Sequence, residues 1–357
     1  MKPTPDNIDN FCIPPETTLG EAMKRIDQTA QGIVLVVGEG RCLLGTVTDG
    51  DLRRAILRGS SLSIRVADLL AAKTERPTAV PHGTPPAELL RLMQEKSLRQ
   101  VPLIDEASRV VGLVTLDDLL PEQALPLQAV IMAGGEGKRM RPFTEEVPKP
   151  MLMVGDRPLM EHIVDQLRDA GIKRVSIATQ YLAHKISAHF EDGSRFGVEL
   201  DYVKENEPRG TAGALGLMDP WSEPLLVING DVLTQVNFRA MLAFHRENSA
   251  DMTVAVSKYE MIVPYGVVQC DGALVQKLAE KPTYSLLVNA GIYLLEPSVR
   301  PFIPQHRRFD MTDLINVLLA EGRRVVSFPI LEYWLDVGKP GDYERAKNDI
   351  KNLEKRS

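Results

Sequence analysis

The residues with the clearest capacity for chemistry lie in Ala133-Gly134-Gly135-Glu136-Gly137-Lys138-Arg139-Met140, entered from the apolar run Leu127 to Met132. Glycine lets backbone N–H groups come close to anionic oxygens. No Gly-Lys-Ser/Thr closes the loop, so it is not a Walker A, and Arg139 and Met140 stand where a dinucleotide fingerprint would continue. Arg139, Arg141 and Lys149 follow instead, and cations directly after glycine-rich donors suit a triphosphate. A carboxylate, Asp231, ends the run Leu225-Leu-Val-Ile-Asn-Gly-Asp. Helix capping alone would explain an Asp there, but the carboxyl end of a buried strand is also where open α/β sheets gather their ligands.

These residues need a rigid frame. Pro158 to Asp169 repeats its apolar side chains at Leu159, Ile163 and Leu167 and stops at Gly171, which predicts a helix with a glycine at its end. Val175 to Ala178 reads as the next strand, and strand–helix–strand order implies a parallel sheet.

Composition excludes several classes. The chain has 357 residues, enough for two separate cores, with 44% hydrophobic and 25% charged residues. Its net charge of −6 gives no support to nucleic-acid binding. The longest apolar runs, such as Ile33 to Val37, are too short for a membrane span, and no hydrophobic leader is visible in residues 1–10. Cys12, Cys42 and Cys270 form no C-x-x-C pair, and the six histidines show no metal spacing. The expectation is a cytoplasmic protein with reduced thiols.

The first third contains an internal repeat. Gly45-Thr-Val-Thr-Asp-Gly-Asp-Leu52 returns as Gly112-Leu-Val-Thr-Leu-Asp-Asp-Leu119, at an offset of 67 residues from Thr48 to Thr115. The same offset maps Thr17 onto Thr84 and Glu21 onto Glu88. Each copy reads as a helix (Thr18 to Ile26, Thr84 to Met93), a buried strand (Ile33 to Val37, Val101 to Ile104), a second strand (Leu43 to Thr48, Val110 to Thr115) and a Thr-x-x-Asp helix start. Residues 1–122 thereby resemble a tandem pair of CBS domains. The resemblance implies that Thr48, Asp51, Thr115 and Asp118 hold the phosphate and ribose of an adenine or guanine nucleotide, or else that the pair only assembles a homo-oligomer. Pro121 to Pro126 reads as a linker.

The stretch Gly134-Gly-Glu-Gly-Lys-Arg-Met-Arg-Pro-Phe-Thr-Glu-Glu-Val-Pro-Lys-Pro-Met151 resembles the signature of sugar-1-phosphate nucleotidyltransferases, with Lys138 and Met140 where that family usually has Thr and Leu. Tyr333-Trp-Leu-Asp-Val-Gly338, Glu280-Lys-Pro282 and Asn289-Ala-Gly-Ile-Tyr293 match further segments, so that the likeness covers residues 127–350. It implies an α/β architecture in which the CBS pair precedes a Rossmann-like domain with a mostly parallel mixed sheet. Ala133, Gly134, Gly135, Gly137 and Arg139 would then receive the nucleotide, with Gly210 and Thr211. Asp231 and Asp336 would hold Mg²⁺. Gly266, Glu280, Lys281 and Asn289 would hold the sugar phosphate, and Arg139, Lys149, Asp231 and Lys281 would be catalytic.

In relatives that use uracil or thymine, Gln commonly stands five residues before the glycine matched by Gly210. Here that position is Glu205, an acceptor-only group when ionised. Guanine offers two adjacent donors, so the expected substrates are GTP and a sugar 1-phosphate. A CBS pair joined to this transferase resembles bacterial guanylyltransferases that make GDP-glucosamine for nonulosonic (legionaminic-type) acid synthesis. Mannose- or heptose-1-phosphate guanylyltransferases, uridylyl- or cytidylyltransferases and a non-catalytic nucleotide sensor are the alternatives.

Overall fold

The computed structural model describes residues 8–29, 31–73, 77–96, 98–119 and 125–353, in two compact units, Met1–Ala124 and Leu125–Ser357. The linker expected over residues 121–126 lies outside the described residues as far as position 124.

In the first unit, β1 (Cys12–Ile13), α1 (Leu19–Thr29), β2 (Ile33–Val37), β3 (Leu43–Thr48) and α2 (Asp49–Leu57) make up one copy of the repeat, and α3 (Val66–Ala71) follows it. The other copy holds β4 (Val80–Pro81), α4 (Pro86–Glu95), β5 (Gln100–Ile104), β6 (Val110–Thr115) and α5 (Leu116–Leu119). The repeat survives at the level of register: Ile33 pairs with Thr48 and Gln100 with Thr115. Even the irregularity recurs, at Val36/Val37 and at Leu103/Ile104. β-Branched residues fill β2, which is buried along most of its length. Phe11, Ile33, Leu35, Val110 and Leu113 form one buried cluster, so the two copies share a core. Such a repeat cannot bury its apolar face alone.

The second unit contains β7 (Gln128–Ala133), the short pair β8 (Met153–Val154) and β9 (Arg157–Pro158), α6 (Leu159–Asp169), β10 (Arg174–Thr179), α7 (Ala183–Phe190) and β11 (Glu199–Lys204). Then come α8 (Gly210–Gly213), β12 (Leu225–Asn229), β13 (Val232–Thr234), α9 (Phe238–Glu247), β14 (Met252–Ile262), β15 (Val267–Asp271), β16 (Leu274–Ala279) and β17 (Thr283–Leu295). The last elements are α10 (Met311–Ala320), β18 (Val325–Pro329), β19 (Trp334–Asp336) and α11 (Pro340–Leu353). Seven strands form one sheet in the order β11-β10-β7-β12-β17-β14-β18. β11, β10, β7 and β12 run parallel, β17 runs against both β12 and β14, and β18 is parallel to β14.

Side-chain alternation along β7 shows how the sheet is covered. Ala129, Ile131 and Ala133 join one buried cluster, with Ile163 and Leu167 of α6 and Met241 of α9. Val130 joins another, with Leu314 and Leu318 of α10. Helices therefore seal both faces, as a near-continuous apolar strand requires. The expected helix and strands fall within a residue or two of their observed limits, and the expected mostly parallel mixed sheet is present.

Candidate active site

The carboxyl ends of the parallel strands open into a cleft of about 460 Å³. Its lining includes every residue expected on the nucleotide side: Ala133, Gly134, Gly135, Gly137, Arg139, Glu205, Gly210 and Thr211. Lys149 and Asp231 line it too.

The glycine loop is held from below. Gly137 has φ of +62°, and a side chain there would come within 3.0–3.2 Å of Thr144 and Lys149. Thr144 is fully buried, and its hydroxyl donates to the Gly137 carbonyl at 2.8 Å. Met140 anchors the other end of the loop in a cluster with Leu152, Leu233 and Leu335, next to the exposed Arg139 at the cleft. The additional charge at Lys138 is paired with Glu136 at 3.1 Å.

Two carboxylates distant in sequence are joined by backbone pairing. β13 follows Asp231 directly and runs antiparallel to β19, with Val232 opposite Asp336. Val337 N–H then donates to the Asp231 carbonyl at 3.0 Å. Desolvation, and next the Asp231 charge, push the Asp336 carboxyl up, against the opposing pull of Lys149 and Arg139. Asp231 Oδ2 accepts from Lys149 Nζ at 2.5 Å, and Lys149 is buried. Among the described residues no group of three or more Asp, Glu, His or Cys gathers. Two adjacent carboxylates fit Mg²⁺, which takes one or two of them plus phosphate and water oxygens.

At the opposite end, Glu205 follows β11. Its Oε2 accepts from Arg209 N–H at 2.9 Å, and Oε1 lies 2.7 Å from where a Cβ on Gly134 would be. The absence of a side chain at Gly134 thus allows the close approach of the Glu205 carboxylate. Burial pushes the Glu205 carboxyl up.

Arg308 and Asp310 also line the cleft, and the sequence reading missed both. Asp310 accepts from Thr211 N–H at 3.2 Å, and Ala212 and Gly213 N–H donate to the Phe309 carbonyl at 3.0 and 2.8 Å. Gly210, at φ of +79°, leaves only 2.4 Å between an added Cβ and Asp310 Oδ1. Asn229, at the end of β12, lines the cleft as well.

The sugar-side candidates are placed differently. Gly266, Glu280, Lys281 and Asn289 are absent from the cleft lining. The first three lie on an arm built from the outer halves of β14 and β17 with β15 and β16. There, a Cβ on Gly266 would stand 3.1 Å from Glu280 Oε2. Asn289, at the base of the arm, donates to the Tyr293 hydroxyl at 2.9 Å and accepts from Gly291 N–H at 3.0 Å.

In the first unit both Thr-x-x-Asp pairs form capping boxes. Thr48 and Thr115 hydroxyls donate to Asp51 and Asp118 at 2.9 and 2.8 Å. The copies differ in their cations. Asp51 is also gripped by Lys73 at 2.7 Å and Arg54 at 2.9 Å. Burial acts to raise its pKa, but the Lys73 and Thr48 hydrogen bonds prevail and hold it below the ordinary carboxylate range. Asp118 pairs with no Lys or Arg among the described residues.

Comparison with known proteins agrees with this architecture. Residues 128–352 match the family model described as nucleotidyl transferase, and residues 4–58 and 66–124 match that of the CBS domain. The chain belongs to the nucleotidyl transferase family and carries a CBS pair ahead of the transferase domain. It is 34% identical over 233 residues to a mannose-1-phosphate guanylyltransferase of Mycobacterium tuberculosis, covering 63% of this chain and 64% of that protein. With a mannose-1-phosphate guanylyltransferase catalytic subunit beta of Drosophila pseudoobscura pseudoobscura it shares 33% over 224 residues, 60% of each chain. The chain thus spans less than two thirds of these relatives' length. Among solved structures, HddC from Yersinia pseudotuberculosis superposes with a TM-score of 0.50 at 25% identity, over 62% of this chain and 99% of that one.

Proposed function

We propose that this protein transfers GMP from GTP to a sugar 1-phosphate, giving a GDP-sugar and pyrophosphate. The observation that carries the reading is the single cleft in which the glycine loop, Arg139, Lys149, Asp231 and Glu205 converge. A phosphate oxygen of the sugar 1-phosphate attacks the α-phosphorus of GTP, the bond from that phosphorus to the bridging oxygen breaks, and pyrophosphate leaves in line. Such chemistry needs positioning and charge neutralisation rather than a covalent intermediate.

The backbone N–H groups of the glycine loop and Arg139 would receive the triphosphate. Glu205 would accept from the guanine N1–H and 2-amino group. Lys149 sits beside Asp231, where it can pass from carboxylate to incoming phosphate. Gly266, Glu280, Lys281 and Asn289 would bind the sugar phosphate. Asp231 and Asp336 would hold Mg²⁺, which when bound neutralises charge on the phosphate oxygens.

Arg139→Ala is expected to lower kcat by on the order of 10²-fold, since one preorganised charge stabiliser is lost. Lys281→Ala should chiefly raise KM for the sugar phosphate, and steady-state kinetics that instead showed only weaker GTP binding would exchange the two roles.

The relatives named above point to mannose 1-phosphate, and the CBS pair favours the GDP-glucosamine reading within nonulosonic acid synthesis. Mass spectrometry of reactions with GTP and either phosphate tests this: a GDP-sugar is expected from one of them, and none from both overturns it.

The CBS pair would bind a regulatory nucleotide at Asp118, because Asp51 is already neutralised by Lys73 and Arg54. Calorimetry on the full chain should show adenine-nucleotide binding, which the GTP-selective cleft does not supply, that Asp118→Ala removes and Asp51→Ala leaves, with a coupling to turnover of about 1–3 kcal/mol. Undiminished binding in Asp118→Ala would contradict the assignment.

A further inference from the structure

We propose that Tyr181 and Lys185 are positioning residues for the nucleotide. They act through residues 141–148, which they strap to the fold and which in turn set the glycine loop. The last step rests on the reading of that loop as the receiver of the triphosphate given above.

Residues 141–148 run from the glycine loop to Lys149 as a series of turns, exposed at Arg141, Pro142, Phe143, Glu145 and Glu146. Such a segment is ordered by the pairing of its backbone groups more than by burial. Thr144, Glu145 and Glu146 present three successive carbonyls, and side chains from one short segment take all three. The Tyr181 hydroxyl lies 2.9 Å from the Glu145 carbonyl and 3.2 Å from that of Thr144, and shares its single proton between them. Lys185 Nζ donates to the Glu146 carbonyl. On the other side, Phe143 meets Tyr343 of α11 edge-on, with ring centroids 5.5 Å apart. Tyr343 is itself fixed by donating to the Met153 carbonyl at 2.8 Å.

Thr144 carries this hold inward. Its side chain is fully buried, and its hydroxyl is the one that donates to the Gly137 carbonyl. The chain of bonds therefore runs from Tyr181 to the Thr144 backbone, and from the Thr144 side chain to Gly137. Arg139 follows two residues on. A strap free to shift would carry Gly137 and Arg139 with it, and donors that must reorganise around a triphosphate bind and stabilise it less well.

The location agrees. Tyr181 stands two residues past β10, directly after Gln180, which lines the cleft. Thr179 pairs with Ala133, so β10 and the strand that enters the glycine loop end side by side. Between Tyr181 and α7, Leu182 has φ of +50°, a left-handed conformation that a bulky residue keeps only where its surroundings hold it. That turn leaves Tyr181 and Lys185 on the same three carbonyls. Neither side chain is part of the cleft lining, so an effect on the nucleotide must pass through the strap.

The test compares the wild type with Tyr181→Phe/Lys185→Met, and with Tyr181→Phe alone should the double variant unfold. Hydrogen–deuterium exchange of residues 133–148, followed as GTP is titrated into the full chain, reads binding at this cleft and at no other site. Without nucleotide the double variant is expected to exchange faster there, with an unchanged melting curve. It should need about tenfold more GTP for half-protection, and Tyr181→Phe alone about threefold more. KM for GTP should rise by a similar factor while KM for the sugar 1-phosphate stays within about twofold. Lys185→Arg, which keeps a donor for the Glu146 carbonyl, should behave as the wild type. Exchange and half-protection at wild-type values overturn the proposal, and so does an equal rise in KM for both substrates, which marks a general structural role. A wild type in which GTP gives residues 133–148 no protection overturns it as well. A wild type that releases no pyrophosphate from any substrate pair defeats the transferase reading alone, and the exchange titration still decides the strap.

Discussion

Asp231→Asn is expected to lower kcat by about 10³-fold, with the fold intact. The substituted amide keeps the shape and one acceptor oxygen, so Lys149 Nζ retains a hydrogen-bond partner. What goes is the negative charge, and with it half of the carboxylate pair that Asp336 completes across the β13–β19 pairing. A lone, partly desolvated Asp336 is a poor divalent site, because one carboxylate supplies half the charge of the pair and remains penalised by burial. Chelation by EDTA should reproduce the loss, and added Mg²⁺ should reverse it in the wild type but not in the variant. Pyrophosphate release together with circular-dichroism melting checks both halves. Full activity in EDTA would remove Asp231 and Asp336 from the metal assignment.

The second large effect concerns the base. GTP should exceed UTP and dTTP in kcat/KM by about 10³-fold or more, since a site built around paired polar groups rejects a base that leaves them unsatisfied. ATP should fail for a specific reason: its N1 is an acceptor and would face the Glu205 carboxylate. Glu205→Gln should erode the preference by roughly 1–3 kcal/mol without raising KM for the sugar phosphate. Acid should do the same in the wild type. Burial raises the Glu205 carboxyl, so the ionised acceptor is present above that raised value and lost as pH falls through it, starting higher than for an ordinary Glu. A nucleotide preference unchanged in Glu205→Gln would contradict this role.

Local pattern made much of the frame legible. β2, β3 and β6 have the limits that alternation and burial predict, because short β-branched runs between turns admit few registers. α1 and α4 begin one and two residues later than expected, since Thr18 is a capping residue outside the helix and Pro85 and Pro86 follow Thr84. That the glycine loop and Asp231 line one cleft was legible because they follow the ends of neighbouring strands. Arg308 and Asp310 were not: they reach the cleft only because Phe309 pairs with the backbone of residues 209–213 about a hundred positions earlier. The Lys149–Asp231 pair is likewise a product of the third dimension. The arm was hidden for a different reason, because its apolar residues resemble those of buried strands, while the structure leaves them exposed.

Pyrophosphate release by this chain, measured with GTP, ATP, UTP, CTP and dTTP against mannose, glucosamine, glucose and heptose 1-phosphates, tests the central claim most directly. The expected result is Mg²⁺-dependent release that requires both substrates and is fastest with GTP. Release fastest with UTP or CTP, or none with any pair, would contradict it.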